Sequence, residues 1–254
     1  MPPLSRFQNI STRLRVQTGD NVLIGGFIIT GTDPKEVVVR AIGPSLGAFG
    51  ITDPLPNPIL ELHYPDGTTV VTNNDWRATQ EAEIIATGLA PTNNLESAIL
   101  ATLDPGNYTA IVRGVNGGTG VGVVETYDLS EEVDSALANI STRGLVETGD
   151  NVMIGGIIVG PETAPSGSIL LRGIGPSLGA FGIANPLANP TMEFRDVNGV
   201  LITSNDNWKS TQQAAIEATG LQPTNDLEAA ILATLGAGNY TAILSGVGGT
   251  TGSA

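Results

Sequence analysis

Cysteine is absent from the 254 residues, which excludes structural disulfides and thiolate metal sites. Aromatic residues are scarce at 4%, so Val, Ile, Leu and Ala must fill the core that a 41% hydrophobic content can build. Basic residues are also few. Eleven Lys and Arg face 25 Asp and Glu, for a net charge of −14. That balance opposes a nucleic-acid partner, which wants a basic face, and opposes docking on anionic lipid. It leaves room for bound cations and favours solubility outside cells. No apolar run reaches the roughly 18 residues that a membrane-spanning helix needs, so membrane insertion is not expected. The opening Met1-Pro2-Pro3-Leu4-Ser5 has neither a basic nor an apolar segment of the kind a secretory signal requires.

What the chain does have is Gly and Pro, 33 and 16 residues, and a sequence written twice. Residues 41–51 return as residues 173–183 with ten of eleven positions identical. Asn9-Ile10-Ser11-Thr12-Arg13 returns at residues 139–143, and Thr18-Gly19-Asp20-Asn21-Val22 at residues 148–152. A two-residue insertion near residues 161–167 shifts the spacing of the later matches, as a loop insertion would. A period of this length marks a duplicated domain, not a solenoid unit. The expected division is residues 1–130 and 131–254, joined by the acidic stretch at residues 130–135.

Each copy reads as strands. Residues 22–30 and 37–42 are rich in β-branched side chains, and residues 59–63 alternate before the turn at Pro65-Asp66-Gly67. Further strands are predicted over residues 68–72, 97–103, 108–113 and 121–129. The Gly-rich stretch at residues 116–120 reads as a hairpin tip between the last two. Residues 79–87 have helical spacing, and Gly88 stops them. The fold class is therefore all-β: two tandem jelly-roll-like antiparallel β-sandwiches, each with one short helix.

Three constellations invite chemistry. Gly43-Pro44-Ser45-Leu46-Gly47 and its copy at Gly175 match the nucleophile elbow of serine hydrolases, which needs a helix after the serine and a histidine base. Residues 48–54 do not read as a helix, and His63, the one histidine, is replaced by Arg195 in the second copy. The motif is instead read as a rigid corner with Phe49 plugged into the core, and no enzyme activity is expected. Asn73, Asn74, Asp75 and Glu96 in the first copy, with Asn205, Asp206, Asn207 and Glu228 in the second, offer oxygens suited to Ca²⁺. The same residue types also cap turns. No other cofactor is expected. Trp76 and Trp208, the only tryptophans, could form glycan platforms but read better as core anchors. Asn9, Asn107 and their partners fit the glycosylation sequon.

Residues 62–67 with 72–75, followed by residues 103–112, resemble the bacterial pre-peptidase C-terminal domain family over about half of each copy. The resemblance implies small jelly-roll-like sandwiches appended to secreted enzymes, some of them calcium-binding, and hence a non-catalytic role outside the cell or on its surface. The front half of each copy, residues 9–50, looks like a tandem module of large bacterial secreted and surface proteins.

Residues 121–129 read as a strong strand, and Gly252 corresponds to Gly120, so the second copy lacks their counterpart. Two readings stand side by side: a sequence cut short, or an open sheet edge filled by a strand from another chain. On the second reading the protein is a homo-oligomer or homopolymer. Residues 1–13 are the expected donor, laid along the edge of the second copy in a neighbour to give a filament.

Overall fold

The computed structural model describes residues 6–130 and 132–254. It divides into two compact units, Phe7–Gly144 and a second built on Leu145–Ala254. The first holds β1 (Arg6–Val16), β2 (Leu23–Gly31), β3 (Lys35–Ile42), β4 (Pro58–His63) and β5 (Thr69–Asn73). After α1 (Glu81–Ala86) come β6 (Ser97–Leu103), β7 (Gly106–Gly114), β8 (Gly120–Asp128) and β9 (Ser135–Arg143). In this unit four strands run in the order β1-β8-β3-β6 and five in the order β5-β4-β7-β2-β9, with antiparallel pairing.

Alternation explains the packing. In β2 the buried positions are Leu23, Gly25, Phe27 and Ile29, and in β7 they are Tyr108, Ala110 and Val112. Strand β8 answers from the opposite sheet with Gly122, Val124 and Thr126. The two layers meet closely: a Cβ on Gly25 would lie 3.0 Å from Val124 Cγ1. This is an all-β, antiparallel β-sandwich. Helix α1 is short because Gly88, at φ +74°, stops the segment. Its buried Ile84 packs with Trp76 and Ala98.

The Gly-rich stretch after β7 is not a hairpin tip. β7 and β8 lie in different sheets, so residues 115–119 carry the chain across the sandwich through a 3₁₀ turn at Val115–Gly117. The unit boundary also differs from residue 130. Strand β9, the opening of the second repeat, pairs with β2 from Ile24↔Arg143 to Gly31↔Ser135 and so belongs to the first unit. Close approach at that seam bears on two residues, through backbone at Gly31 and through the Leu14 side chain at Gly144. A Cβ on Gly31 would sit 2.1 Å from the Asp134 carbonyl oxygen. Gly144 replaces the repeat's leucine where a Cβ would meet Leu14 Cδ2 at 2.1 Å.

The second unit holds β10 (Leu145–Val146), β11 (Met153–Gly160), β12 (Gly167–Gly173), β13 (Pro190–Arg195) and β14 (Leu201–Asn205). It continues with α2 (Gln213–Ala218), β15 (Ala229–Leu235), β16 (Gly238–Gly246) and β17 (Gly252–Ser253). The order β14-β13-β16-β11 reproduces β5-β4-β7-β2, and β12-β15 reproduces β3-β6. The pairing of β10 with β17, Leu145↔Ser253 and Val146↔Gly252, reproduces the register of Arg15↔Val121 and Val16↔Gly120.

The N-terminal segment expected to be a free donor is not free where it is described. Residues 1–5 lie outside the described residues. In β1, residues 9–16 pair with β8 from Asn9↔Tyr127 to Val16↔Gly120. A strand already held in this ladder cannot run along a neighbour without leaving it.

Candidate functional site

The duplicated corner is built around a buried carboxylate. Strand β3 ends at Ile42, and the chain enters a 3₁₀ turn at Pro44–Phe49, closed by Gly50 at φ +85°. The turn after Ser45 is thus helical, though 3₁₀ and six residues long, where the sequence reading excluded a helix. Glu96 reaches this turn from the start of β6. Its Oε1 accepts the N–H of Gly43 (3.1 Å), the N–H of Ser45 (3.0 Å) and the Ser45 hydroxyl (2.5 Å). Its Oε2 accepts the Asn93 N–H at 3.3 Å. Gly43 must be glycine because a Cβ there would lie 2.2 Å from the Leu55 carbonyl oxygen. The second unit repeats every part. Glu228 accepts from Gly175, Ser177 and Asn225 at the same distances, and a Cβ on Gly175 would lie 2.2 Å from the Leu187 carbonyl oxygen.

That geometry assigns Ser45 and Ser177 as donors to a carboxylate. His63 lies on β4 with Glu61 Oε2 (3.1 Å) and the Gly67 carbonyl (3.2 Å) as its ring partners. Phe49 is not plugged into the core: it is 83% exposed, and Phe181 is 82% exposed. A 3₁₀ turn closed by a left-handed glycine swings the ring outward, which the run of residues by itself does not reveal.

Of the eight oxygen-bearing residues considered for calcium, Asn73, Asn205, Glu96 and Glu228 are used locally. Asn73 is buried, accepts the Ala98 N–H through Oδ1 (3.1 Å) and donates to the Asp75 carbonyl (3.2 Å). Asn205 is its twin, bonded to Ala230 N–H (3.0 Å) and the Asn207 carbonyl (3.1 Å). Asn74 and Asp206 are exposed, and Asn207 is half-buried. Glu96 and Glu228 are spent on the corners described above. Asp75 keeps one buried oxygen, Oδ1, without a hydrogen-bond partner. Among the described residues no group of three or more His, Cys, Asp or Glu side chains is arranged to hold a metal ion. Trp76 and Trp208 are buried, with their indole N–H groups donating 3.1 Å bonds to the carbonyls of Asn93 and Asn225. Of the sequons, Asn9 is buried against the Thr126 carbonyl (3.2 Å), while Asn107, Asn139 and Asn239 are exposed.

A second constellation went unread in the sequence. On β3, Arg40 lies opposite Glu125 of β8. Its Nε and Nη2 donate to Glu125 Oε2 at 2.8 and 2.5 Å, Nη2 also reaches the Tyr127 hydroxyl (3.0 Å), and Nη1 donates to the Leu89 carbonyl (2.7 Å). Burial, and then the charge of Glu125, push the Tyr127 pKa up. At the other end of the pair, Lys35 is fully buried and donates to both Asp128 oxygens and to the Ser130 carbonyl, each at 2.8 Å. In the second unit Arg172 stands where Arg40 stands and keeps the carbonyl bond, to Leu221 at 3.2 Å. It is exposed, and no carboxylate partners it among the described residues. Gly167 replaces Lys35. The clue was present in the repeat alignment: the arginine is kept while the lysine is not.

The edge of β12 beside Arg172 pairs with no strand among the described residues. β3 pairs with both β6 and β8, whereas β12 pairs with β15 alone. Beneath that edge Gly155, Tyr240 and Ala242 are half-buried, where Gly25, Tyr108 and Ala110 are buried. The virtual Cβ of Gly155 meets only Ala242, at 3.8 Å and beyond, with nothing in the place of Val124.

No protein-family model matches the chain, and no curated protein matches it by sequence. Among solved structures it is similar to a DUF4785 family protein from Legionella pneumophila, at 11% identity and a TM-score of 0.29, over all of this chain and 64% of that one. It is also similar to the pilus 2b backbone protein of group B streptococcus, at 11% identity and a TM-score of 0.17, over 98% of this chain and 89% of that one. The chain thus spans under two thirds of the Legionella protein's length. No helix is long and apolar enough to cross a membrane among the described residues.

Proposed function

We propose that the chain is a non-catalytic structural module of a secreted or surface protein, which self-associates by β-strand complementation at its second unit. One observation carries this reading: among the described residues β12 pairs with β15 alone, and its other edge lies beside a core that the first unit closes with β8. An unpaired edge presents a row of N–H and C=O groups, and a strand from a neighbouring molecule satisfies them while covering the apolar positions below. The first unit already takes a strand from the adjoining repeat, since β9 completes the sheet at β2. The strong negative charge and the resemblance to secreted sandwich domains support a place outside the cell. A head-to-tail contact of this kind builds an open filament unless its rotation closes a ring.

The alternative, a calcium- or carbohydrate-binding appendage, rests on the unpartnered Asp75 oxygen and the exposed Asn and Asp side chains around it. The tryptophans give it little help, because both rings are buried and Arg77 lies 4.3 Å over the Trp76 ring.

Sedimentation and electron microscopy of two chains test the proposal. One is the present sequence, and the other carries a second copy of residues 121–129 after Ala254. The first should associate with rising concentration, and the second should fill its own edge and stay monomeric. Two monomers, or equal association, would remove strand complementation as the basis of assembly.

A further inference from the structure

We infer that the β4–β5 hairpin of the first unit is a proton-operated clip: protonated His63 bonds the turn carbonyl of Gly67, and the neutral ring lets that carbonyl go. The clip stands apart from how the chain associates, and it lies on the hairpin that carries the chain's one histidine.

The ring faces acceptors on both sides. Nε2 lies 3.1 Å from Glu61 Oε2, and Nδ1 lies 3.2 Å from the Gly67 carbonyl oxygen. A neutral imidazole has one N–H and satisfies one of them, whereas the imidazolium donates to both. The carboxylate is the stronger acceptor, so the neutral ring keeps its proton on Nε2 and turns a bare Nδ1 toward the carbonyl. Thr69 Oγ1, 3.4 Å from Nδ1, is the donor that this form can use.

The second repeat holds the same clip permanently shut. Both hairpins carry a bulge at this place, between Leu62 and His63 and between Phe194 and Arg195. Both close the turn alike, with Tyr64 N–H donating to the Thr68 carbonyl at 2.9 Å and Asp196 N–H to the Val200 carbonyl at 3.0 Å. Arg195 donates through Nε and Nη2 to Glu193 Oε2 at 3.0 and 2.5 Å, and through Nη1 to the Gly199 carbonyl at 2.7 Å. A guanidinium stays charged and never accepts. In the place of Thr69 stands Leu201, which has no hydroxyl. The donor that serves only a neutral ring is thus present with the histidine and absent with the arginine.

Glu61 has a second cation, since its Oε1 lies 3.3 Å from Arg113 Nε, where the second repeat has Ser245. The other titratable groups on the elements beside the ring are Tyr64 and Asp66 in the turn and Tyr108 on β7, and β5 supplies none. Imidazole is the side chain that ordinarily changes charge between about pH 5 and 8. The added proton gains the Gly67 bond and charges the bond to Glu61, so the hairpin tightens as pH falls through that window and loosens as pH rises. β5 is the outer strand in the order β5-β4-β7-β2-β9, so the clip governs how firmly an edge strand is held.

The test is hydrogen exchange of the full chain at pH 5.5 and pH 8, with residues 64–73 read against residues 196–205. The second hairpin is an internal reference, because the intrinsic pH dependence of exchange acts on both alike. Protection of the first hairpin relative to the second should be about tenfold higher at pH 5.5, the size of one charge-assisted hydrogen bond. His63→Arg should keep the high ratio at both pH values, and His63→Gln the low one. Arg195→His should carry the pH dependence to the second hairpin, and the two His63 variants decide the matter if that chain does not fold. Nitrogen-15 spectra of the imidazole should place the proton on Nε2 at pH 8. A ratio that does not change with pH, or a change that survives in His63→Gln, overturns the clip. So does a proton on Nδ1 at pH 8, since the Gly67 bond would then form without the added charge.

Discussion

Val37, Val38 and Val39 are each 0% exposed in the first unit, whereas their counterparts Ile169, Leu170 and Leu171 are only half-buried in the second. The second set is the larger and more apolar one. Hydrophobicity therefore does not decide their burial. The neighbouring strand does, because β8 covers one edge of β3, and β17 reproduces only its first two residues. The corner tells the opposite story. Glu96 and Glu228 sit in matching cages, with distances that agree bond for bond. The repeat is thus one structure near the 3₁₀ turn and two different structures near β3 and β12.

Three experiments probe this contrast. The largest effect is expected from Asp128→Asn, which leaves Lys35 charged and fully buried without its ion-pair partner. Breaking a buried pair at one end costs about 3–5 kcal/mol. Hydrogen exchange read unit by unit should show the loss in residues 7–144 and none in residues 145–254. Loss in both would mean that the two units unfold as one.

A smaller effect should appear equally in both units. Glu96→Ala and Glu228→Ala each remove the acceptor of three backbone N–H groups and a serine hydroxyl, for about 1–3 kcal/mol apiece. Urea unfolding, followed through Trp76 in one unit and Trp208 in the other, should return costs within about 0.5 kcal/mol of each other. Unequal costs would show that the open edge of β12 already loosens the corner.

The smallest effect concerns alkaline pH. Tyr127 has its pKa raised from an ordinary value of 10.0, first by burial and then by Glu125. A group whose folded pKa is raised contributes stability that is full below the unfolded pKa and is lost as pH rises through the folded one. The first unit should therefore weaken above about pH 10, with Tyr108, also raised by burial and Asp104, acting in the same direction. Trp76 fluorescence in a Trp208→Phe background should follow the loss, and Tyr127→Phe should flatten it in part. An unchanged slope would place the hydroxyl in easier contact with solvent than its bond to Arg40 implies.

The sequence by itself determined the duplication, the all-β class, the positions of β2 to β8 within a few residues, the short helix and the burial of both tryptophans. These follow from local pattern: alternation of period two, turn residues of restricted geometry, and a glycine that stops a helix. The roles of Ser45 and Phe49 were not legible, because a carboxylate 51 residues away claims the first and the hand of a 3₁₀ turn expels the second. Which sheet β7 and β8 join, why the first unit runs to Gly144, and why Arg40 is paired while Arg172 is open were decided by tertiary structure alone. Each depends on which strand lies beside which, and a strand's own residues specify its faces but not its neighbour.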